Sequence, residues 1–369
     1  MKKKVVVGMS GGVDSSVSAY LLLQEGYEVI GLFMRNWDSM VNNDIEGNPN
    51  LNNDICPQEQ DYNDALEVCN KLGIELHRVN FVKEYWDNVF SYFLDELKKG
   101  RTPNPDLMCN KYIKFDAFIE EAKKLGADYV ATGHYARTKD GHLYRGLDSS
   151  KDQSYFLAQV SKKQLENVLF PVGNITKKEV RQIALDSDIP TAKKKDSTGI
   201  CFIGERNYQK FIHNYLKKNP GDIIDVDTKE VIGTHEGLMN YTIGQRKQVG
   251  IAGFKDRHFV VGKNVEKNEL YVAFGEDPES LYSDECIIEN INFISDERPK
   301  KCTAKFRYRG EDYEVFLEYL DNGEISVKYP SKAKAVTPGQ ACVLYNGEEC
   351  LGSGIIKEIK KDGKKLWYL

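Results

Sequence analysis

The 369-residue sequence has no apolar run near the ~20 residues that a membrane-spanning helix needs, and no two of its eight cysteines stand in a Cys-x-x-Cys pair. No helical membrane anchor and no zinc knuckle are therefore expected. Lysines at the start precede Val5–Val7, a stretch too short for a signal-peptide core that breaks at once into glycine. With cysteines scattered along a long chain, this predicts reduced thiols in a cytoplasmic protein. Positive charge is scarce as well: 51 Lys and Arg face 56 Asp and Glu, for a net charge of −5. Any phosphate contact must then come from local clusters, whatever the total.

What is present is enough chain for two or three globular domains. Lys4–Gly8 reads as a buried strand, Asp14–Glu25 as an amphipathic helix and Tyr27–Met34 as a second strand, a βαβ unit that requires parallel pairing. Helices near Ala65–Leu72, Tyr85–Leu97 and Tyr112–Leu125 and strands at Glu75–Val79 and Asp128–Thr132 continue the alternation. A hairpin around Asp140-Gly141 spans Arg137–Arg145, and helical patterns follow at Lys162–Leu169 and Lys177–Ser187. Residues 1–205 are thus expected to form a doubly wound α/β domain with a parallel sheet. Its polar stretch Asp38–Gln60, rich in Asn, Asp and Pro, reads as a mobile surface loop.

After Cys201 the long helices stop. Residues 206–280, punctuated by Gly221, Gly233, Gly237, Gly244, Gly250 and Gly253, predict a small mixed central domain. Residues 281–369 carry strand-like runs (Ile287–Ile294, Cys302–Tyr308, Tyr313–Tyr319, Ile325–Tyr329, Ala341–Tyr345, Ile355–Ile359) separated by Asn322-Gly323, Pro338-Gly339 and Asn346-Gly347 turns. A β-barrel closes such strands without leaving edges.

The first chemical signal is Ser10-Gly11-Gly12-Val13-Asp14-Ser15-Ser16, set where a strand ends and a helix begins. Backbone N–H groups and the helix dipole make that junction an anion site. It has no GKS or GKT ending and no lysine of its own, so glycines, serine hydroxyls and main-chain N–H groups must cradle the anion. The bland alternative is a glycine turn with Asp14 or Ser15 capping the helix. The string resembles the pyrophosphate-loop ATPases, which cleave ATP to AMP and pyrophosphate and adenylate a substrate oxygen. That resemblance implies ATP contacts at Gly8, Met9, Ser10, Gly11, Gly12, Val13, Asp14 and Ser15, with Met34 and Gly133 against adenine.

Two cysteines carry the second signal. Pro103-Asn104-Pro105-Asp106-Leu107-Met108-Cys109-Asn110 puts Asp106 and Cys109 three residues apart at a helix start, where the positive helix end favours a thiolate at Cys109. Asp106 could shuttle a proton or merely cap the helix. Cys201 follows Lys193-Lys194-Lys195 and a glycine-containing loop, a setting that depresses a thiol pKa and allows movement. Set against this is a structural cysteine beside Phe202 and Ile203, the reading that also suits the other six. Arg307-Tyr308-Arg309, expected on a barrel strand, combines guanidinium groups with a ring that could stack on RNA, or is only a solvated face.

Taken together, GMSGGVDSS, GRTPNPDLMCN, ATGHYAR, KDQSYFL, AKKKDSTGICFIGER, TIGQRK and TPGQACVLYNGE resemble the tRNA-specific 2-thiouridylase family over nearly the whole chain. The resemblance implies ATP-dependent exchange of oxygen for sulfur at C2 of the wobble uridine in tRNAs for lysine, glutamate and glutamine, with Mg²⁺ accompanying ATP. Sulfur would come from a cysteine desulfurase or a relay protein. Carried onto this sequence, Cys109 is the nucleophile, Cys201 the persulfide carrier and Asp106 the acid or base. Asn104, Pro105 and Asp106 would meet the target base, and His134, Lys151, Asp152, Gln153, Arg307, Tyr308 and Gln340 the rest of the tRNA. No resident metal site is implied. The rivals are another adenylating ligase or amidotransferase on the same loop, for which no glutaminase signature is visible, and a nucleotide-gated RNA-binding protein that would not need its thiols.

Overall fold

The computed structural model describes residues 2–51, 53, 55–196, 199–201, 203–251 and 256–369. Its first seven strands are β1 (Lys4–Gly8), β2 (Glu28–Arg35), β3 (Glu75–Asn80), β4 (Tyr129–Ala131), β5 (Ala136–Lys139), β6 (His142–Arg145) and β7 (Val168–Leu169). Five of these form a sheet in the order β3-β2-β1-β4-β7, parallel at every pairing. Val5, Val6 and Val7 are wholly buried because helices cover both faces, which is why β1 reads as a continuous apolar run. Strand order turns outward on either side of β1, so the loops after β1 and β4 open side by side at the carboxyl edge, the usual ligand crevice of such sheets. Helix α1 (Val13–Gln24) follows β1, and α2 (Pro57–Leu72) precedes β3. The segments Val82–Tyr85, Trp86–Phe90 and Ser91–Lys98 run on as one rod.

Several expectations need correction. Helix α2 begins at Pro57 rather than near Ala65, since proline at the first helical position costs no hydrogen bond. The Asp38–Gln60 stretch is not a free surface loop throughout: Asp44 is fully buried, accepting from Trp37 Nε1 at 2.9 Å and pairing with Arg206 at 2.7 Å. The helix predicted over Lys162–Leu169 stops at Leu165, because Val168 and Leu169 are drawn into parallel pairing with Val130 and Ala131 at the open edge of β4.

Beyond the first sheet, β8 (Gly221–Asp225), β9 (Val231–His235), β10 (His258–Asn264) and β11 (Glu269–Phe274) form a four-stranded sheet ordered β10-β11-β8-β9. Gly221 is required there, since a Cβ would lie 2.1 Å from the Asn268 carbonyl oxygen. Gly253 lies outside the described residues. The last strands are β12 (Tyr282–Phe293), β13 (Lys301–Lys305), β14 (Tyr313–Tyr319), β15 (Ile325–Lys334), β16 (Ala341–Asn346), β17 (Glu349–Lys361) and β18 (Lys364–Lys365). Strand β12 pairs with both β15 and β17 and thereby closes a barrel. Strand β13 is shorter than expected: the chain turns after Phe306, which fills the barrel core, and Arg309 takes a left-handed φ of 61°. Arg307-Tyr308-Arg309 is therefore a turn at the barrel rim and not a strand.

The hairpin β5–β6 forms over Asp140 and Gly141, both at positive φ (52° and 77°), as the sequence predicted. Its allegiance is different. It pairs with β17 rather than with the parallel sheet, Tyr144 opposite Glu349 and Leu143 opposite Cys350. Arg137 reaches Glu348, His142 reaches Glu349 and Arg145 reaches Asp312 across the same seam. The first domain thus extends the barrel's sheet, and the division at residue 281 is crossed by continuous β-pairing.

Candidate active site

At the phosphate loop, Met9 N donates to Leu32 O at 3.0 Å and holds the chain to β2 before it turns. Gly12 caps α1 in an extended conformation with no side-chain cap, so the first-turn N–H groups have no side chain across them. The serines brace the turn from inside: Ser15 Oγ and Ser16 Oγ donate to Gly12 O at 3.0 and 2.8 Å. Gly11 sits at φ 72°, and a Cβ there would lie 2.2 Å from the Asp61 carbonyl oxygen of α2. Its smallness answers to helix packing as well as to any anion, so a valine at this position would not test phosphate binding alone. Gly133 lies over the same turn, where a Cβ would be 2.7 Å from Ser15 N. Met34 is buried in the core beside Gly8.

The loop has no lysine of its own, yet two arrive from distant segments. Lys177, the first residue of the helix Lys177–Asp186, bonds Asp14 at 2.8 and 2.9 Å and pairs with Asp196 at 2.8 Å. Tyr135 Oη donates to the same Asp14 carboxylate at 2.7 Å. Lys194 donates to Gly11 O at 3.0 Å while pairing with Asp61 and Asp64. Sequence reasoning missed both. The available signal was a lysine at a helix N-terminus, which opposes the macrodipole and so needs an acidic partner from elsewhere.

The thiols meet across 92 residues of sequence, with Cys109 Sγ 3.7 Å from Cys201 Sγ. Asn104 caps the turn Pro105–Met108 by accepting from Asp106 N at 3.1 Å, which removes the capping role considered for Asp106. The chain continues as a wide π-helical turn, Cys109–Ala117, broken at Phe115 (φ −122°, ψ 16°). Asp106 instead accepts the backbone N–H of Cys201 at 3.2 Å, and Tyr85 Oη donates to Cys201 O at 2.9 Å. Turns between Ile200 and Gly204 close the loop around the thiol. Ser197, Thr198 and Phe202 of this segment lie outside the described residues.

Electrostatics reverse one expectation and reassign another. Cys109 is fully buried, and burial with its hydrogen bond to Cys201 pushes its pKa well up, so the helix start does not make it a thiolate. Cys201 is the acidified thiol: the bond from Cys109 lowers its pKa first, burial opposes, and Lys114 lowers it further. Lys193 and Lys195 are exposed, and Lys194 is spent at the phosphate loop, so the lysine trio does not supply that charge. Lys114 does. Burial lowers its own pKa, but Cys201, Cys109 and Asp106 raise it above the ordinary value. Asp106 is raised by burial against the pull of Lys114 and the Cys201 N–H. Lys114 was missed because only the π-helical register, five residues per hydrogen bond, brings it round to the face of Cys109.

His134, expected at the tRNA, is buried beneath this cluster. Its Nε2 lies 3.4 Å from Lys114 Nζ and its Nδ1 2.6 Å from Thr132 Oγ1. Burial, then the lysine, hold its pKa well below the usual histidine value, so it is neutral. Asp152 is likewise buried, accepting from Gly146 N and Ser154 N at 3.0 and 3.1 Å, and Gln153 accepts from Tyr135 N at 2.9 Å. These side chains are committed inside the protein, leaving Lys151, paired with Asp196 at 2.9 Å, as the outward member of that segment. Gln340 donates to Thr102 O at 2.8 Å and so ties the barrel to the strand of chain presenting Asp106. Arg307 is exposed, while Tyr308 packs 4.3 Å, centroid to centroid, from Phe156. Among the other cysteines, Cys69, Cys286, Cys342 and Cys350 are buried, Cys302 half-buried, and Cys56 exposed ahead of α2.

Among the described residues no group of three or more His, Cys, Asp or Glu side chains is arranged to hold a metal ion, and no helix is long and apolar enough to cross a membrane. The chain matches three family descriptions in succession: tRNA methyl transferase HUP domain over residues 3–205, tRNA methyl transferase PRC-barrel domain over 209–274, and aminomethyltransferase beta-barrel domain over 283–356. It is 56% identical to the tRNA-specific 2-thiouridylase of Mycoplasmopsis synoviae, covering 100% of this chain and 99% of that one. The protein of the same name from Staphylococcus saprophyticus is 54% identical over 99% of this chain and 98% of its own. With a glycine turn at the start of α1, two cysteine thiols 3.7 Å apart, and likeness of this extent from end to end, the chain belongs to the tRNA-specific 2-thiouridylase family.

Proposed function

We propose that this chain uses ATP to replace the 2-oxygen of the wobble uridine, position 34, with sulfur in tRNAs for lysine, glutamate and glutamine. The observation that carries this reading is the thiol pair itself, 3.7 Å apart, one member acidified and the other held protonated. A persulfide carrier needs a thiolate to collect sulfur, and its partner must keep its proton until a disulfide is to be formed. In the first step the uridine 2-oxygen attacks the α-phosphorus of ATP, and pyrophosphate departs toward the α1 N-terminus, Lys177 and Lys194. Mg²⁺ would accompany ATP and offset the charge of its phosphates. In the second step the terminal sulfur of a Cys201 persulfide bonds to C2, and AMP leaves with the electron pair of the old C–O bond. Cys109 then gives up its proton and attacks Cys201 Sγ, leaving sulfur on C2 and a Cys109–Cys201 disulfide. An external thiol reduces that disulfide, which suits a reducing cytoplasm. Alternatively Cys109 attacks the persulfide first and releases sulfide next to the adenylated base. Arg307, Lys151 and Gln340 serve the tRNA in this reading, with His134, Asp152 and Gln153 acting from behind. Mass spectrometry of tRNA nucleosides after incubation with ATP, Mg²⁺ and a persulfide-loaded cysteine desulfurase tests it. 2-Thiouridine dependent on all three is expected, and its absence with folded enzyme would overturn the proposal.

A further inference from the structure

Cys201 stands outside regular secondary structure, in a turn closed between Ile200 and Gly204. Such a residue must find partners for its N–H and C=O away from any sheet or helix ladder. Here both are taken by side chains. Asp106 accepts the N–H at 3.2 Å, and the Tyr85 hydroxyl, 116 residues earlier in the sequence, donates to the carbonyl oxygen at 2.9 Å. Asp106 belongs to the turn that leads into Cys109, whereas Tyr85 ends the short helix Val82–Tyr85 and is wholly buried. The Cys201 backbone is thus pinned by two separate elements, and its sulfur rests 3.7 Å from Cys109 Sγ.

Tyr85 is itself held in place. Trp37 meets its ring edge-on at 6.0 Å, Trp37 Nε1 donates to Asp44 at 2.9 Å, and Asp44 pairs with Arg206 at 2.7 Å. Arg206 lies five residues after Cys201, so the chain beyond the thiol is anchored to the same support. A phenol can donate only while it keeps its proton. Burial, followed by Cys109, Cys201 and Asp106 around it, pushes the Tyr85 pKa well up and holds that proton on.

We propose that Tyr85 is a positioning residue for sulfur transfer, its hydroxyl fixing the Cys201 peptide so that the Cys201 and Cys109 sulfurs stay within reach of each other. The proposal rests on the reading of this pair as carrier and resolving thiol. Packing alone would need only the ring, because an edge-on contact with Trp37 requires no oxygen. The hydroxyl has a separate consequence. Without it the Cys201 carbonyl loses its hydrogen-bond partner, a cost that the turn relieves by shifting. A misplacement of about 1 Å is enough to slow reaction between two positioned groups by about 10²-fold. The same shift weakens the hydrogen bond from Cys109, which leads the causes of Cys201 acidity.

The test compares Tyr85→Phe, which keeps the ring and deletes the oxygen, with Tyr85→Leu, which deletes both. In full-length Tyr85→Phe, formation of the Cys109–Cys201 disulfide should slow about tenfold or more, with oxidised glutathione taking the two electrons. The pH midpoint of Cys201 alkylation by iodoacetamide should move upward, and 2-thiouridine formation should fall by about the same factor as disulfide formation. Cys109 should remain slow to alkylate, because burial still keeps it protonated. A Tyr85→Phe protein that matches the wild type in disulfide rate and alkylation profile, with Tyr85→Leu alone impaired, overturns the proposal in favour of ring packing. Faster alkylation of Cys109 in Tyr85→Phe overturns it as well, since a general loosening of the fold would then account for the loss. Neither the disulfide nor the alkylation measurement needs tRNA or ATP. Both therefore judge Tyr85 even where the wild-type enzyme forms no 2-thiouridine, a result that would instead strike the proposed function.

Discussion

The glycine loop before α1 and the thiol pair are built in opposite ways. The loop comes from consecutive residues, a strand, two glycines and a helix start, and the anion site proposed for it is a matter of backbone geometry. The thiol pair comes from segments 92 residues apart, and its chemistry depends on which side chains surround each sulfur. Local geometry can be read from a string of letters, whereas a relative pKa between two cysteines cannot. The two sites are nevertheless joined through the short segment Thr132-Gly133-His134. Gly133 rests on Ser15, Thr132 bonds His134, and His134 supports the Lys114 that charges Cys201.

If the two sites run separate steps, they should be separable by mutation. The largest effect is expected for Cys201→Ser: 2-thiouridine should vanish, because a hydroxyl cannot carry a persulfide, while tRNA-dependent pyrophosphate release stays within about twofold. Nucleoside mass spectrometry beside a pyrophosphate assay checks both halves, and residual thiolation would erase the distinction. Lys177→Met cuts the other way. Loss of a cation from the loop should slow pyrophosphate release about 10²-fold, while alkylation of Cys201 by iodoacetamide keeps its rate and pH dependence.

Lys114→Met sharpens the comparison within the thiol site. A nearby cation favours the thiolate, so wild-type Cys201 should alkylate with a midpoint below the ordinary thiol range, and the variant should shift that midpoint upward. At neutral pH the alkylation rate of Cys201 should fall in the variant, with Cys109 slow in both proteins because burial keeps it protonated. An unmoved midpoint would mean that the Cys109 hydrogen bond alone acidifies Cys201. The smallest effect belongs to Gln340→Ala, which removes one half-buried hydrogen bond to Thr102, about 1 kcal/mol. It should lower the melting temperature by a few degrees and thiolation about twofold, with pyrophosphate release at saturating tRNA changed no more than that.

Those contrasts explain what could be read in advance. The parallel sheet, the loop and the barrel were legible because apolar periodicity and Asn-Gly or Pro-Gly turns report local structure. Cys109 and Cys201 could be named from their motifs, but their order of acidity could not, since burial and Lys114 decide it. The lysines credited with activating Cys201 were near it in sequence and elsewhere in space: Lys194 bonds Gly11 O. For His134 and Asp152 what the sequence does not report is burial: Thr132 and Ser154, each two residues away, and Lys114, twenty residues away, engage these side chains inside the protein.

The β5–β6 hairpin has a bearing on how the chain is made. Arg145 Nε bonds Gly347 O, 202 residues later in the sequence. At roughly 5–20 residues per second on the ribosome, the hairpin waits about 10–40 seconds for the strand that completes it. During that interval a Leu143 destined for full burial stands on an unpaired edge that any other extended chain could adopt. Synthesis of this enzyme therefore includes an interval in which the β6 edge has no partner strand, which β17 supplies only near the end of the chain.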